Sequence, residues 1–171
     1  MKRLIPFAVF LCLATNTYGG TLVWKTSKAE AVSAAISGGK KILLVAGRET
    51  CGNCSYMKNT VCESTTPPIQ SLIQEKFVTW FCNVDSSTEW NSYAGGLGSF
   101  YLPLICCIDP NHPDNYLDRT TGTQTPEEFH ARLQAIVGPG PDLKGDFDGN
   151  GKLGLEDVIG ILQILSGIRS K

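Results

Sequence analysis

One motif constrains the fold of this chain more than any other: Cys51-Gly52-Asn53-Cys54 follows a run of aliphatic residues and begins a predicted helix. The run, residues 42–45, is continuously apolar, as is typical of a strand that is covered on both faces of a sheet. A cysteine at a helix start lies near unpaired backbone N–H groups, which favour its thiolate. The sequence therefore predicts a buried strand, a short turn and a dithiol on a helix, the minimum arrangement for exchanging disulfides.

The first 19 residues have the layout of a secretory signal peptide. Lys2 and Arg3 precede an apolar stretch, residues 4–14, and small and polar residues follow it. This stretch is too short to span a bilayer. We therefore expect a signal peptide at 1–19 and a soluble mature chain that begins near Gly20. We expect that chain to be secreted or periplasmic, in an oxidising compartment.

The balance of charges argues against two kinds of binding partner, and the length of the chain indicates one domain. The chain has 15 Lys and Arg residues against 16 Asp and Glu residues, with no dense basic run, so charge gives no reason to expect nucleic acid or an anionic membrane as partner. The mature chain is long enough to bury roughly 70% of its unfolded surface. We therefore expect one domain with its own core, followed by a short appendage.

Apolar periodicity and turn residues divide residues 21–137 into alternating strands and helices. The predicted strands are 21–24, 41–46, 77–84, 104–108 and 116–119, and the predicted helices are 27–37, 54–62, a piece beginning at 67, a short turn near 90–93, and 125–137. The last helix has the clearest start, because Thr125 and Glu128 match a capping box and Pro126 takes the first helical position. This order of elements implies a mixed sheet with helices on both sides.

Five features follow one another along the chain: a dithiol after a buried strand, the dipeptide Leu102-Pro103 before the third long strand, the hairpin, Gly122 and a closing amphipathic helix. In this order they resemble the thioredoxin superfamily. The resemblance covers about Thr21 to Val137 and is closest to secreted thioredoxin-like proteins. It implies an α/β thioredoxin-like fold for residues 20–137, with a mixed central sheet flanked by helices.

The resemblance also implies roles for individual residues. Cys51 would be the attacking nucleophile and Cys54 the resolving thiol. Pro103 would be a cis-proline facing them, and the backbone of Leu102 would pair with an extended substrate. The implied activity is thiol-disulfide exchange on protein thiols and disulfides, without an organic cofactor.

Three positions depart from the family pattern around the dithiol. Thr50 stands where a Trp is frequent, Asn53 where a Pro is frequent, and Val45 near the place of a buried acid, which leaves Glu49 as the nearby carboxylate. Slow deprotonation of Cys54 during resolution is therefore expected. Two alternatives stay open from the residues: the pair forms an inert structural disulfide, or it binds a metal.

Four further cysteines lie in the mature chain. Cys106 and Cys107 are adjacent in a predicted strand, so their side chains point to opposite faces, and we expect two separate buried thiols rather than a vicinal disulfide. A structural bridge that involves Cys62 or Cys82 stays open.

The carboxyl end is predicted to be a separate unit. Residues 138–141, Gly-Pro-Gly-Pro, form a predicted linker. In residues 146–157, oxygen-bearing side chains recur at the spacing of an EF-hand-like calcium loop, with a glycine at its sixth position. This loop resembles the calcium loop of dockerin modules, although those carry two repeats and this chain has one. The predicted Ca²⁺ ligands are Asp146, Asp148, Asn150, Asp157 and, by that resemblance, the carbonyl of Lys152.

The calcium loop is followed by a predicted helix at 156–166 with an unusually wide apolar face. Its apolar residues cover roughly 220° of the circumference, against about 100° for an ordinary surface helix. Such a helix needs a partner, which would be the thioredoxin-like domain, a second copy of the chain or a cohesin-like protein. Residues 142–171 are therefore predicted to be a dockerin-like half-module.

Together these features predict an exported thiol-disulfide oxidoreductase with a calcium-dependent C-terminal docking element. The alternative is a redox-silent thioredoxin-fold adaptor, whose cysteine pair is structural and whose function depends on the C-terminal module.

Overall fold

The computed structural model describes residues 21–138 and 154–166. Helices and strands alternate through the first of these segments, and one helix occupies the second. The elements are α1 (Lys28–Gly38), β1 (Lys41–Gly47), α2 (Gly52–Tyr56) with a π-helical continuation (Met57–Val61), α3 (Ile69–Lys76), β2 (Phe77–Asn83), α4 (Asn91–Ala94), β3 (Leu104–Ile108), β4 (Tyr116–Thr121), α5 (Pro126–Val137) and α6 (Leu155–Leu165).

Four strands form one mixed sheet in the order β2-β1-β3-β4. Strand β1 is central: it pairs in parallel with β2, with Val45 opposite Phe81, and antiparallel with β3, with Val45 opposite Ile105. Strand β4 pairs antiparallel with β3 and forms one edge. The predicted mixed sheet with helices on both sides is confirmed.

Each face of the sheet has its own apolar core. On one face, Leu43 and Val45 pack in a cluster with residues of α3 and α5. On the other, Ile42 and Leu44 pack with residues of α1 and α4. Because both faces of β1 are covered, all of its residues after Lys41 are buried, which explains the continuous apolar run.

Side-chain caps fix the ends of the helices that flank the sheet. The Ser27 hydroxyl accepts a hydrogen bond from the N–H of Glu30 at the start of α1. Gly39 closes α1 in the left-handed conformation, with φ of 62°. The predicted capping box of α5 is confirmed, since Thr125 and Glu128 exchange hydrogen bonds of 3.0 and 3.2 Å.

Residues 84–103 connect β2 to β3 and contain only the short helix α4 as regular structure. Neighbouring elements hold this helix in place. The Arg119 guanidinium donates to the carbonyls of Tyr93 and Gly95, each at 2.8 Å. The Tyr93 hydroxyl donates to the carbonyl of Pro113, and the Lys28 ammonium lies 5.2 Å from the centre of the Tyr93 ring. The connection is therefore anchored to the sheet and to α1.

Two of the predicted elements differ in the structure. Residues 21–24 form no strand, and a single parallel bridge joins Lys25, just after them, to Trp80. Pairing goes no further along the chain because α1 begins at Lys28, with Ser27 as its N-cap. The helix expected at 54–62 begins earlier, at Gly52, and continues as a π-helix from Met57. Its start is earlier because the Cys51 side chain itself caps the first turn.

The predicted C-terminal helix is present as α6. Most of the predicted linker and the calcium-loop residues 146–153 lie outside the described residues; Asp157 falls in the first turn of α6. Five apolar side chains of α6 are exposed: Leu155, Val158, Ile159, Leu162 and Leu165. Within the described part of the chain, the helices are all too short or too polar to cross a membrane.

Candidate active site at the Cys51–Cys54 pair

The dithiol lies where the central strand passes into α2. A turn closed by the Cys51 N–H and the Arg48 carbonyl, 3.2 Å apart, redirects the chain after β1. Cys51 is then the N-cap of α2, and its Sγ accepts a hydrogen bond of 3.2 Å from the N–H of Cys54. A hydrogen-bond donor and the positive end of the helix thus face this sulfur, and both favour a thiolate at Cys51.

Cys51 and Cys54 form a disulfide, with their Cα atoms 5.2 Å apart. The two residues differ in exposure. Cys51 is partly exposed, whereas Cys54 is only 1% exposed. An incoming sulfur therefore reaches Cys51 and not Cys54, which is the asymmetry that the predicted nucleophile and resolving roles require.

Gly47, the last residue of β1, packs directly against Cys54. A Cβ atom at position 47 would lie 2.7 Å from the Cys54 Sγ and 2.9 Å from its Cβ, far inside ordinary contact. This residue was not among the site residues predicted from the sequence. The sequence nevertheless contains a signal for it: a glycine at the end of an otherwise bulky aliphatic strand often marks a place where another group approaches the backbone closely.

The surroundings of Cys54 lack the carboxyl group that the family pattern places in the preceding strand. Val45 occupies that position, is fully buried and packs in the apolar cluster with Met57 and Phe81. Glu49, the carboxylate nearest in sequence, is exposed. Position 45 therefore supplies no proton acceptor to Cys54.

The segment before β3 borders the dithiol. The Leu102–Pro103 bond is cis, as the resemblance implied. Cys51 and Leu102 line the same open depression of about 610 Å³, whereas the neighbouring Pro103 is buried. The other lining residues are Arg48, Thr50, Asn53, Val84, Trp90, Phe100 and Tyr101. The three aromatic residues were not predicted from the sequence as part of the site, because the fold brings them there from the long connection 84–103.

The four other cysteines of the described residues, Cys62, Cys82, Cys106 and Cys107, are buried free thiols. Cys106 and Cys107 lie in opposite cores, so the prediction of two separate buried thiols is confirmed. Burial raises the pKa of each to about 12, and it raises the pKa values of Cys62 and Cys82 as well. The bridge left open for Cys62 or Cys82 does not form, and these thiols are protonated near neutral pH.

Metal binding by the pair has no support from its neighbours. Among residues 21–138 and 154–166, His, Cys, Asp and Glu side chains do not gather in groups of three that could hold an ion. The predicted calcium ligands Asp146, Asp148, Asn150 and Lys152 lie outside these residues.

Known proteins resemble the chain in sequence and in fold. A family model described as thioredoxin-like matches residues 23–110, more than half of the chain. A thioredoxin from Thermus thermophilus is 22% identical with a TM-score of 0.56, and the match covers 77% of this chain and 95% of that one. A poplar thioredoxin h mutant is 18% identical with a TM-score of 0.50, covering 72% and 88%. At these identities the two structures show the fold alone. No curated protein matches the chain.

Proposed function

We propose that this chain, which belongs to the thioredoxin-like family, is a thiol-disulfide oxidoreductase that acts on protein substrates through Cys51 and Cys54. One observation carries the proposal: a partly exposed sulfur at a helix start has its disulfide partner buried three residues later. An exposed nucleophile next to a shielded resolving thiol is the arrangement that thiol-disulfide exchange uses.

In the reducing direction, the Cys51 thiolate attacks one sulfur of a substrate disulfide, and the other substrate sulfur leaves as a thiolate. Cys54 then loses its proton and attacks the Cys51 sulfur, which releases the second substrate thiol and closes the Cys51–Cys54 disulfide. Two electrons and two protons pass to the substrate. A dithiol donor restores the reduced pair, and the same steps in reverse oxidise a substrate.

Trapping tests this assignment. Cys54→Ser leaves Cys51 free to form a mixed disulfide that cannot be resolved, so substrate proteins should remain attached through Cys51. Cys51→Ser is the matched control, because it leaves a buried thiol that substrates cannot reach. Equal trapping by the two variants, or none by either in the native compartment, would contradict the proposal.

A second candidate is a redox-silent adaptor with a structural Cys51–Cys54 disulfide. The apolar residue Val45 in the strand before the pair favours it, because position 45 gives Cys54 no carboxylate to accept its proton. The reduction potential measured against glutathione distinguishes the two. A value below about −300 mV is typical of a structural disulfide, and a higher value supports exchange chemistry.

Export is part of the proposal and is supported by the pattern of residues 1–19. In a bacterial host, the full chain should lose this segment and accumulate outside the cytoplasm. Replacing Lys2 and Arg3 by Glu should slow that processing. A chain that keeps its N-terminus and stays in the cytoplasm would contradict export.

We propose further that the C-terminal loop binds Ca²⁺ and that α6 then associates with a partner. The spacing of Asp146, Asp148 and Asp157 supports the first step, and the exposed apolar side chains of α6 support the second. Calorimetry at about 1 mM Ca²⁺ should detect binding that Asp146→Ala with Asp157→Ala abolishes. Asp109→Ala, which removes an acid outside the loop, is the control. Absence of binding by the wild type would overturn this part.

A further inference from the structure

Three aromatic side chains, Trp90, Phe100 and Tyr101, form one wall of the depression beside Cys51. Trp90 and Phe100 meet edge to face, with their ring centres 6.2 Å apart, and Tyr101 next to them is 82% exposed. Large aromatic side chains at the surface are typical of places where another molecule binds. Here the wall adjoins the exposed sulfur of Cys51, so whatever binds there lies beside the reacting atom.

Two polar groups of this wall are already engaged. The indole N–H of Trp90 donates to the Ser87 carbonyl at 3.0 Å, and the Arg48 guanidinium pairs with Asp85 at 2.8 Å. The aromatic rings therefore offer apolar contact, and the nearby cation is partly neutralised. Such a surface discriminates by the size and apolar character of a side chain rather than by its charge.

The backbone beneath Tyr101 is held firmly. The N–H of Gly122 donates to the carbonyl oxygens of Tyr101 and Pro103, at 3.0 and 2.9 Å. Gly122 has φ of 74°, a conformation that side chains disfavour, so this clamp suits glycine. The backbone at Tyr101 is thus positioned before any substrate arrives, which lowers the entropic cost of binding.

We propose that this surface recognises a segment of the substrate that carries a large apolar side chain next to its reactive cysteine, with Tyr101 as the residue that sets this specificity. The inference rests on the proposed thiol-disulfide exchange. The occupant must bring a thiol or a disulfide, because Cys51 lines the depression. It must also bring apolar surface, because three aromatic side chains stand beside Cys51 there.

Short cysteine peptides in mixed disulfide with glutathione test the specificity. Each turnover oxidises the Cys51–Cys54 dithiol and releases one peptide thiol and one glutathione, so both electrons are accounted for. Two series vary the residue before or after the peptide cysteine among Phe, Leu, Ala, Glu and Lys. The wild type should react roughly three- to tenfold faster with Phe or Leu than with Ala, Glu or Lys in at least one series.

Variants assign this preference to its residue. Tyr101→Ala should remove most of it while the reduction potential stays unchanged, and Tyr101→Phe should retain it. Tyr116→Ala is the matched control: Tyr116 is also exposed, but it pairs with Ile108 at the opposite end of β3. Equal rates across the peptides, or a preference that Tyr101→Ala keeps, would overturn the inference while exchange itself stands. Failure to react with any peptide would overturn the proposed function too.

Discussion

Replacing Gly47 by alanine should disturb the dithiol without removing any of its groups. The new Cβ would lie 2.7 Å from the Cys54 Sγ and 2.9 Å from the Cys54 Cβ, where ordinary contacts are about 3.5 to 4.0 Å. The backbone of β1 and the start of α2 must therefore separate. Forcing an extra methyl group into a packed site typically costs about 1–3 kcal/mol, a sizeable fraction of the stability of a single domain.

The cost should differ between the two redox states. In the disulfide form the Cys54 sulfur is fixed by its bond to Cys51, whereas in the dithiol form it can rotate away and only the Cβ contact remains. The variant should therefore destabilise the oxidised protein more. A difference of about 1–2 kcal/mol would make the reduction potential about 20–40 mV less negative.

Urea unfolding of the oxidised and reduced proteins, together with glutathione equilibration, measures both effects. Gly52→Ala is the matched control, because it lies between the same cysteines and its added Cβ meets no atom within 4 Å. Alanine there should leave stability unchanged or raise it by up to about 1 kcal/mol, since Gly52 is helical. If Gly47→Ala were as stable as Gly52→Ala in both redox states, the argument from close contact would be refuted.

Two further outcomes follow from the described geometry. After mild reduction, Cys51 should be alkylated first between about pH 7 and pH 9, whereas Cys106 and Cys107, whose pKa burial raises to about 12, should react only in denaturant. Mass mapping that finds Cys106 labelled as fast as Cys51 would contradict this. Thr125→Ala should cost about 1 kcal/mol and lower Tm by about 2–4 °C, because the Glu128 N–H loses its acceptor. Thr125→Ser should retain most of that stability, and an equal loss in both variants would argue against the cap.

The sequence predicted most reliably what depends on local pattern. The apolar run of β1 indicated a strand buried on both faces, and the Thr125 and Glu128 pair located the start of α5 correctly. Adjacent Cys106 and Cys107 were assigned to opposite faces by strand geometry alone. In each case, neighbouring residues carry the whole signal.

Features that depend on distant contacts were missed. The π-helical turn that begins at Met57 has nearly the same apolar spacing as an α-helix, so periodicity does not reveal it. Trp90 and Tyr101 line the same depression as Cys51 because the connection after β2 brings them there. The contact of Gly47 with Cys54 likewise requires the angle between β1 and α2, which the sequence pattern does not contain.

The anchoring of the connection at residues 84–103 has a consequence for how such a protein diversifies. Arg119 and Tyr93 hold its middle, and β2 and β3 hold its ends. Its outward side chains, Tyr101 among them, take no part in the sheet core. Exposed positions of the connection such as Tyr101 can therefore accept substitutions while the strands and the dithiol keep their geometry. On the proposed recognition role, such substitutions change which proteins are recognised, whereas Trp90 and Phe100 are constrained because they pack against the core.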